Sequence, residues 1–352
     1  MGPDSFHNGT EEEMCAFIES PRSVILVTGA AGYIGSVLCE ELLENGYRVI
    51  ALDNLEQGHT QAVPPGATFV KANLAQNEAL DRLFRTFPTE AVMHLAAYSL
   101  VSESVANPAK YFRNNVANGI NLLDAMLARG VKKMVFSSSA AVYGEPASLP
   151  VREQEPERPT NPYGESKLMF EKILQWYGRA YGLKSVSLRY FNAAGASPRF
   201  GEDHHPETHL IPNVMKVALK QEEHLCVYGN DYETGDGSCI RDYIHVVDIA
   251  RAHILALRAL ETGASISPIY NLGNGEGYSV LQVAKTAREV TGSDIPVVLQ
   301  PRRPGDPARL VASPELIRSE LGWQPQYPDL KDIVASAWKW HRKHPHGYSR
   351  QG

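Results

Sequence analysis

The chain has 352 residues, 43% hydrophobic and 21% charged, with a net charge of −6. That balance suits a globular protein of one large domain or two fused ones. It lacks the basic runs of a nucleic-acid protein and any apolar stretch long enough to span a bilayer, so neither nucleic acid nor membrane is an expected partner.

Residues 1–21 are polar and acidic apart from Met14-Cys15-Ala16-Phe17-Ile18. Without a basic start and a long apolar core they do not read as a signal peptide, and a polar N-terminal extension is expected. Val24 to Thr28 is a continuous apolar run, as in a buried parallel strand. Gly29-Ala30-Ala31-Gly32-Tyr33-Ile34-Gly35 follows, and Ser36 to Leu43 carries helical periodicity. Strand, glycine loop and helix together form a cradle for a pyrophosphate. The second strand, Tyr47 to Leu52, ends in Asp53, where an acid would hold a ribose 2′-hydroxyl. A carboxylate there repels a 2′-phosphate, so NAD is favoured over NADP.

Strands are expected near 23–28, 48–53, 67–71, 91–95, 132–137 and 184–190, with helices near 33–45, 76–86, 107–129 and 162–181. The alternation predicts an α/β fold, a doubly wound (Rossmann) parallel sheet with ligands at the carboxyl ends of its strands. Gly29, Asp53, Ala96 and Ser139 fall at such ends. After Asn192 the rhythm breaks, and helices are expected near 245–260, 279–291, 313–320 and 330–342. We read residues 22–192 as a dinucleotide-binding domain, with returning segments near 222–270. Residues 193–352 read as a smaller, interleaved mixed α/β substrate region.

Lys132-Lys133-Met134-Val135-Phe136 reads as a strand followed by Ser137-Ser138-Ser139, and Tyr163 and Lys167 lie a helical four residues apart after the helix-start signal Asn161-Pro162. A tyrosine with a pKa near 10 is a poor base at neutral pH. Lowering it by ~3 units needs ~4 kcal/mol, which the lysine and a cationic nicotinamide in a dry cleft can supply. Tyr163 is thus the expected base, Lys167 its tuner and Ser139 its proton relay. Tyr327 and Lys331 repeat the spacing without a serine strand and are expected to be surface structure.

These residues resemble the extended short-chain dehydrogenase/reductase family, and within it the nucleotide-sugar 4-epimerases. The resemblance runs from about residue 23 to the C-terminus and rests on Thr28 to Gly35, Leu52-Asp53-Asn54, Ser137 to Gly144, Asn161 to Lys167 and Arg189 to Asn192. Tyr228 to Tyr232, Arg241 to His245 and Pro301 to Asp306 extend it. It implies reversible C4 epimerisation of UDP-glucose and UDP-galactose through a 4-keto sugar, with NAD as a bound group and Lys167 also on the nicotinamide ribose. It extends cofactor contact to Tyr33, Ile34, Asn54, Asn73, Leu74, Leu95, Ala97, Asn114, Ser137 and Tyr190. Around the UDP-sugar it implies Phe191, Asn192, His209, Leu210, Tyr228, Arg241, Tyr243, Arg303, Asp306 and Leu310; two arginines suit a diphosphate. Three positions depart from the family pattern: Asn73 for an acid, Ser99 for a lysine, and Leu310 for a tyrosine. The smaller Leu310 leaves room for N-acetylated UDP-hexosamines.

Rival readings are another UDP-sugar 4-epimerase, a 4,6-dehydratase, a simple dehydrogenase, and a non-catalytic nucleotide-sugar sensor. Ala140 and Ala141 beside Ser139 cannot move the protons that elimination needs. The histidine clusters 204/205/209 and 341/344/346 show no metal-site pattern, so no metal is expected, and the second cluster reads as a solvated tail. The cysteines Cys15, Cys39, Cys226 and Cys239 read as reduced thiols of a cytoplasmic protein. The helices 107–129 and 162–181 are expected to pair two copies as a homodimer.

Overall fold

The computed structural model describes residues 23–303 and 306–348, so the expected extension at 1–21 lies outside the described residues. The first half contains β1 (Val24–Thr28), α1 (Tyr33–Glu44), β2 (Arg48–Asp53), β3 (Thr68–Lys71), α2 (Asn77–Thr86), β4 (Thr89–His94), α3 (Val101–Ala106) and α4 (Pro108–Tyr111). A π-helical turn (Phe112–Ala117) joins α4 to α5 (Asn118–Ala128); β5 (Lys133–Ser139), α6 (Pro162–Tyr181) and β6 (Lys184–Tyr190) follow. The second half holds β7 (Asn192–Ala194), α7 (Leu210–Ala218), β8 (Leu225–Tyr228), β9 (Ile240–Arg241), β10 (Tyr243–His245), α8 (Val246–Thr262) and β11 (Ile269–Leu272). It ends with β12 (Tyr278–Ser279), α9 (Val280–Thr291), β13 (Val297–Gln300), β14 (Arg309–Leu310), α10 (Glu315–Leu321) and α11 (Leu330–Lys343).

The main sheet runs β11-β6-β5-β4-β1-β2-β3, and every pairing in it is parallel. Its inner strands are buried on both faces, as the apolar runs predict, while edge strand β3 is only partly buried. Along β1, Ile25 and Val27 join Val37, Leu38 and Leu42 of α1 and Ile249, Ile254 and Leu257 of α8. Val24 and Leu26 point the other way, to Leu80 and Leu83 of α2, Leu122 and Met126 of α5, and Phe170 and Leu174 of α6. The period of two along a strand thus fills two helical layers from one sequence. A third core joins α7, α9 and α11 to β8 and β10 beyond the sheet.

Four expectations are corrected. The strand expected at 132–137 runs on to Ser139, because Ser137–Ser139 pair in register with Leu188, Arg189 and Tyr190. The helix expected at 107–129 is three segments, with α3 before them. Tyr327 is half-buried and stacks on His245 at 4.3 Å, so it is packing rather than surface. The histidines of the C-terminal cluster do not form a solvated tail: His344 stacks on Trp340 at 4.8 Å and His341 meets its edge at 4.9 Å, leaving His346 exposed.

A buried polar network ties the carboxyl end of the sheet. The guanidinium of Arg189, fully buried, donates to both carboxylate oxygens of Glu171 at 2.9 and 2.5 Å, to the Tyr143 hydroxyl at 2.9 Å and to Glu157. Ser138 donates to Glu171 at 2.5 Å, and Tyr143 donates to Asn271 of β11 at 2.7 Å. Removing one partner of a buried ion pair strands the other charge. Glu171→Ala is therefore expected to cost about 3–5 kcal/mol, whereas Glu157→Ala, at a side chain 31% exposed, should cost about 1 kcal/mol or less. Thermal unfolding of the two variants checks the order; equal effects would contradict it.

Candidate active site

The glycine loop forms as the spacing requires. Gly29 has φ +70°, and a Cβ there would lie 2.7 Å from the Ala96 amide nitrogen. A Cβ on Gly35 would lie 2.0 Å from the Gly29 carbonyl oxygen, so only glycine lets α1 start this close to β1. Gly32 caps α1 with extended backbone, and Ile34 packs against the main core. The Tyr33 hydroxyl donates to the Gly195 carbonyl at 2.6 Å, tying the loop to the second half of the chain. This surface, at the amino end of α1 and free of side chains, fits the pyrophosphate of a dinucleotide.

Asp53 ends β2 with one carboxylate oxygen accepting from Ala31 N at 3.0 Å and the other from Leu55 N at 2.8 Å. Burial raises its pKa, and these amides work against the rise. The Asn54 side chain turns back to accept from Glu56 N. Leu95 and Ala96, just past β4, donate to the backbone and side chain of Thr28, and Ala97 continues the same rim. Asn73, beside buried Leu74, accepts from Ala75 N at 2.9 Å and, with Asn114, lines a cleft of about 340 Å³. The Ser99 departure is an exposed residue at the foot of α3.

Asn161 accepts from Gly164 N at 2.9 Å and Pro162 opens α6, which runs beneath the carboxyl end of β5. Tyr163 and Lys167 on its first two turns are both buried. The Lys167 ammonium donates to the Ser137 carbonyl at 2.8 Å and sits 5.9 Å from the centre of the Tyr163 ring. Burial pushes Lys167 down to about 7, with Glu171 opposing. Burial also raises Tyr163, with a hydrogen bond from Ser139 opposing. Taken together, both effects leave the phenol protonated in the protein alone. Ser137 Oγ pairs with His253 Nε2 at 2.8 Å, and Tyr190 lies beside both Ser137 and Tyr163.

The residues implied for the UDP-sugar gather mostly at one place. Arg241 reaches Asp306 at 2.6 Å, the Arg303 guanidinium lies 3.9 Å over the Tyr228 ring, and Leu310 sits opposite Arg241 in the β14–β9 pairing. Leu310 packs against the cluster containing Phe191, Ala140 and Leu168. Asn192 and Tyr243 are partners in the β7–β10 pair. The remaining two lie at the amino end of α7, whose core also takes Tyr243. His209 Nδ1 binds Glu202 at 2.7 Å and Glu207 at 3.1 Å, and Leu210 starts α7 on the third core.

Sequence reasoning missed Asn115, in the π-helical turn. Its amide nitrogen donates to the Ser166 hydroxyl and the Tyr98 carbonyl, both at 3.0 Å, and Ser166 in turn donates to the Tyr163 carbonyl at 2.7 Å. It also missed Asp242, whose carboxylate accepts from the amides of Asn274, Gly275 and Ala312 and so holds the chain around Arg241. Both partnerships are long-range and leave no local pattern.

Comparison with known proteins agrees with this geometry. Residues 25–273 match the NAD dependent epimerase/dehydratase family. The chain is 54% identical over 329 residues to the UDP-glucose 4-epimerase of Halalkalibacterium halodurans, covering 93% of this chain and 98% of that one. A crystal structure of a UDP-glucose 4-epimerase, 48% identical, superposes with a TM-score of 0.91 over 93% of this chain and all of the other. The Bifidobacterium longum UDP-glucose 4-epimerase, solved in complex with NAD+ and UDP, is 38% identical with a TM-score of 0.87, covering 93% of this chain and 100% of that one. The chain belongs to the NAD dependent epimerase/dehydratase family.

Proposed function

We propose that this chain interconverts UDP-glucose and UDP-galactose by inverting C4 of the sugar, with NAD as a bound, regenerated group. The observation that carries the reading is buried Tyr163 beside half-buried Ser139, with buried Lys167 one turn on, at the carboxyl end of β5. Likeness to UDP-glucose 4-epimerases over nearly the whole chain supports the substrate.

When bound, NAD+ supplies a reversible hydride acceptor for the sugar carbon and a positive charge beside Tyr163. Gly29, Gly32, Gly35 and Asp53 would hold its pyrophosphate and ribose. Lys167, anchored on the Ser137 carbonyl, adds the second cation that favours the phenolate. Tyr163 then takes the C4 hydroxyl proton, with Ser139 steadying it, and returns the proton to the inverted alcohol. Arg241 and Arg303 would fork onto the diphosphate, exchanging their present partners Asp306 and Tyr228 for phosphate oxygens. Holding the UDP uniformly through the cycle leaves the keto sugar free to turn both faces to one hydride site. The residues after Ser139, Ala140 and Ala141, carry no proton, which disfavours elimination of water.

Purified protein without added NAD should convert UDP-glucose to UDP-galactose with no net build-up of NADH, and Tyr163→Phe should lose about 10²–10⁴-fold in kcat while keeping UDP affinity. Absent conversion even with NAD supplied would leave the sensor reading. A second reading concerns breadth: Leu310 beside Phe191 leaves room for an N-acetyl group, so UDP-N-acetylglucosamine is a proposed further substrate. Leu310→Tyr should lose that substrate and keep UDP-glucose; equal loss of both would contradict it.

Among the described residues no helix is long and apolar enough to cross a membrane, and Cys39, Cys226 and Cys239 are free thiols. Both fit the cytoplasm, where we place the protein. We also propose a homodimer through α6, which exposes Met169, Trp176 (65%) and Tyr181, next to Val101 and Val105 of α3. Light scattering on the eluted protein should give about twice 38.8 kDa, and Trp176→Glu should shift it to monomer; a monomeric wild type would refute the dimer.

A further inference from the structure

The loop between Gly201 and α7 carries a group of side chains to which the proposed reaction assigns no proton or hydride step. One ligand atom from each of Glu202, His204, Glu207 and His209 lies within 4.8 Å of all the others. His209 Nδ1 is 2.7 Å from Glu202 and 3.1 Å from Glu207. His204 Nδ1 is 3.1 Å from Glu202 and 4.0 Å from Glu207. Four ligands at about 2.0–2.2 Å from a tetrahedral ion would stand about 3.3–3.6 Å apart, within the range of these separations.

The charge balance points the same way. The Glu202 and Glu207 side chains are 5% and 2% exposed, and among the described residues their ion pairs are with histidine alone. Two carboxylates buried together need positive charge close by, and imidazole supplies it only when protonated. A divalent cation meets the same demand with two neutral imidazoles. His204 and His209 are 26% and 44% exposed at the side chain, which leaves an entry path from solvent.

We propose that Glu202, His204, Glu207 and His209 form a structural site for a divalent transition metal of the zinc class, for which mixed imidazole and carboxylate ligands are suited. The site pins a loop that touches two other parts of the molecule. The His204 ring meets the edge of Tyr33, in the glycine loop, at 6.3 Å. Gly201 N donates to the Tyr348 hydroxyl at 3.1 Å, and Asp203 accepts from Tyr348 N at 2.9 Å. Metal binding thus fastens the cofactor loop and the C-terminal segment to one eight-residue stretch. The expectation of no metal weighed the histidines without Glu202, just before them, and Glu207, between His205 and His209.

The test uses the full chain, stripped with a chelator and titrated with zinc chloride by calorimetry, with metal content read by mass spectrometry. One zinc per chain is expected, with a rise in melting temperature. X-ray absorption on the wild type should show nitrogen and oxygen ligands without sulfur, which needs no variant to fold. Paired Glu202→Gln and His204→Ala should weaken binding about 100-fold, in line with lost ligation. His205→Ala should leave it unchanged, since the His205 ring faces Asp203 at 3.5 Å instead. No uptake, sulfur ligation, or uptake that the paired variant leaves intact would overturn the site. None of these readouts depends on the sugar chemistry.

Discussion

The carboxyl end of β5 is where fold and chemistry meet, and the seating of α6 against it is the constraint on which the rest depends. Successive residues of a strand face opposite sides, and the serines use this. Ser137 turns its hydroxyl to His253 of α8, while Ser138 turns to Glu171 of α6. The Ser137 carbonyl then takes the Lys167 ammonium, and Ser139 meets Tyr163. One strand end thus grips both helical layers and sets Tyr163, Ser139 and Lys167, the proposed base, relay and cation, in one register.

Burial of that constellation has an electrostatic cost. Without a ligand, desolvation drives Lys167 toward neutrality and Tyr163 toward its protonated form, the reverse of what proton abstraction needs. The Arg189–Glu171 pair stands directly behind, so the site has a buried carboxylate as well as a buried lysine. Such an arrangement is poised for a cationic ring: the charge that completes the base comes with the group that takes the hydride. Coupling the two events in this way suits a redox-neutral cycle in which neither half runs alone.

Much of this was legible in the chain. Apolar runs ending in glycine, aspartate or serine marked the sheet, and Asn161-Pro162 marked the start of α6. The four-residue spacing brought Tyr163 and Lys167 to one face. What escaped was decided by distant partners. The strand expected to stop at 137 runs on to Ser139, because its last residues pair with Leu188–Tyr190. Glu171, Arg189, Asn115 and Asp242 gain their meaning from residues 17 or more positions away. For His209, resemblance carries its position but not Glu202 and Glu207, which hold its ring. Tyr327 and His344 read as surface because stacking on His245 and Trp340 is invisible in spacing.

The central claim is that a hydride leaves and returns to one carbon while Tyr163 handles only the hydroxyl proton. Turnover of UDP-glucose carrying deuterium at sugar C4 tests it most directly. The hydride mechanism predicts UDP-galactose with the deuterium still on C4 and none in water. Washout of the label into solvent would mean that the carbon loses a proton instead, and would contradict both the role of Tyr163 and that of the cofactor cradle.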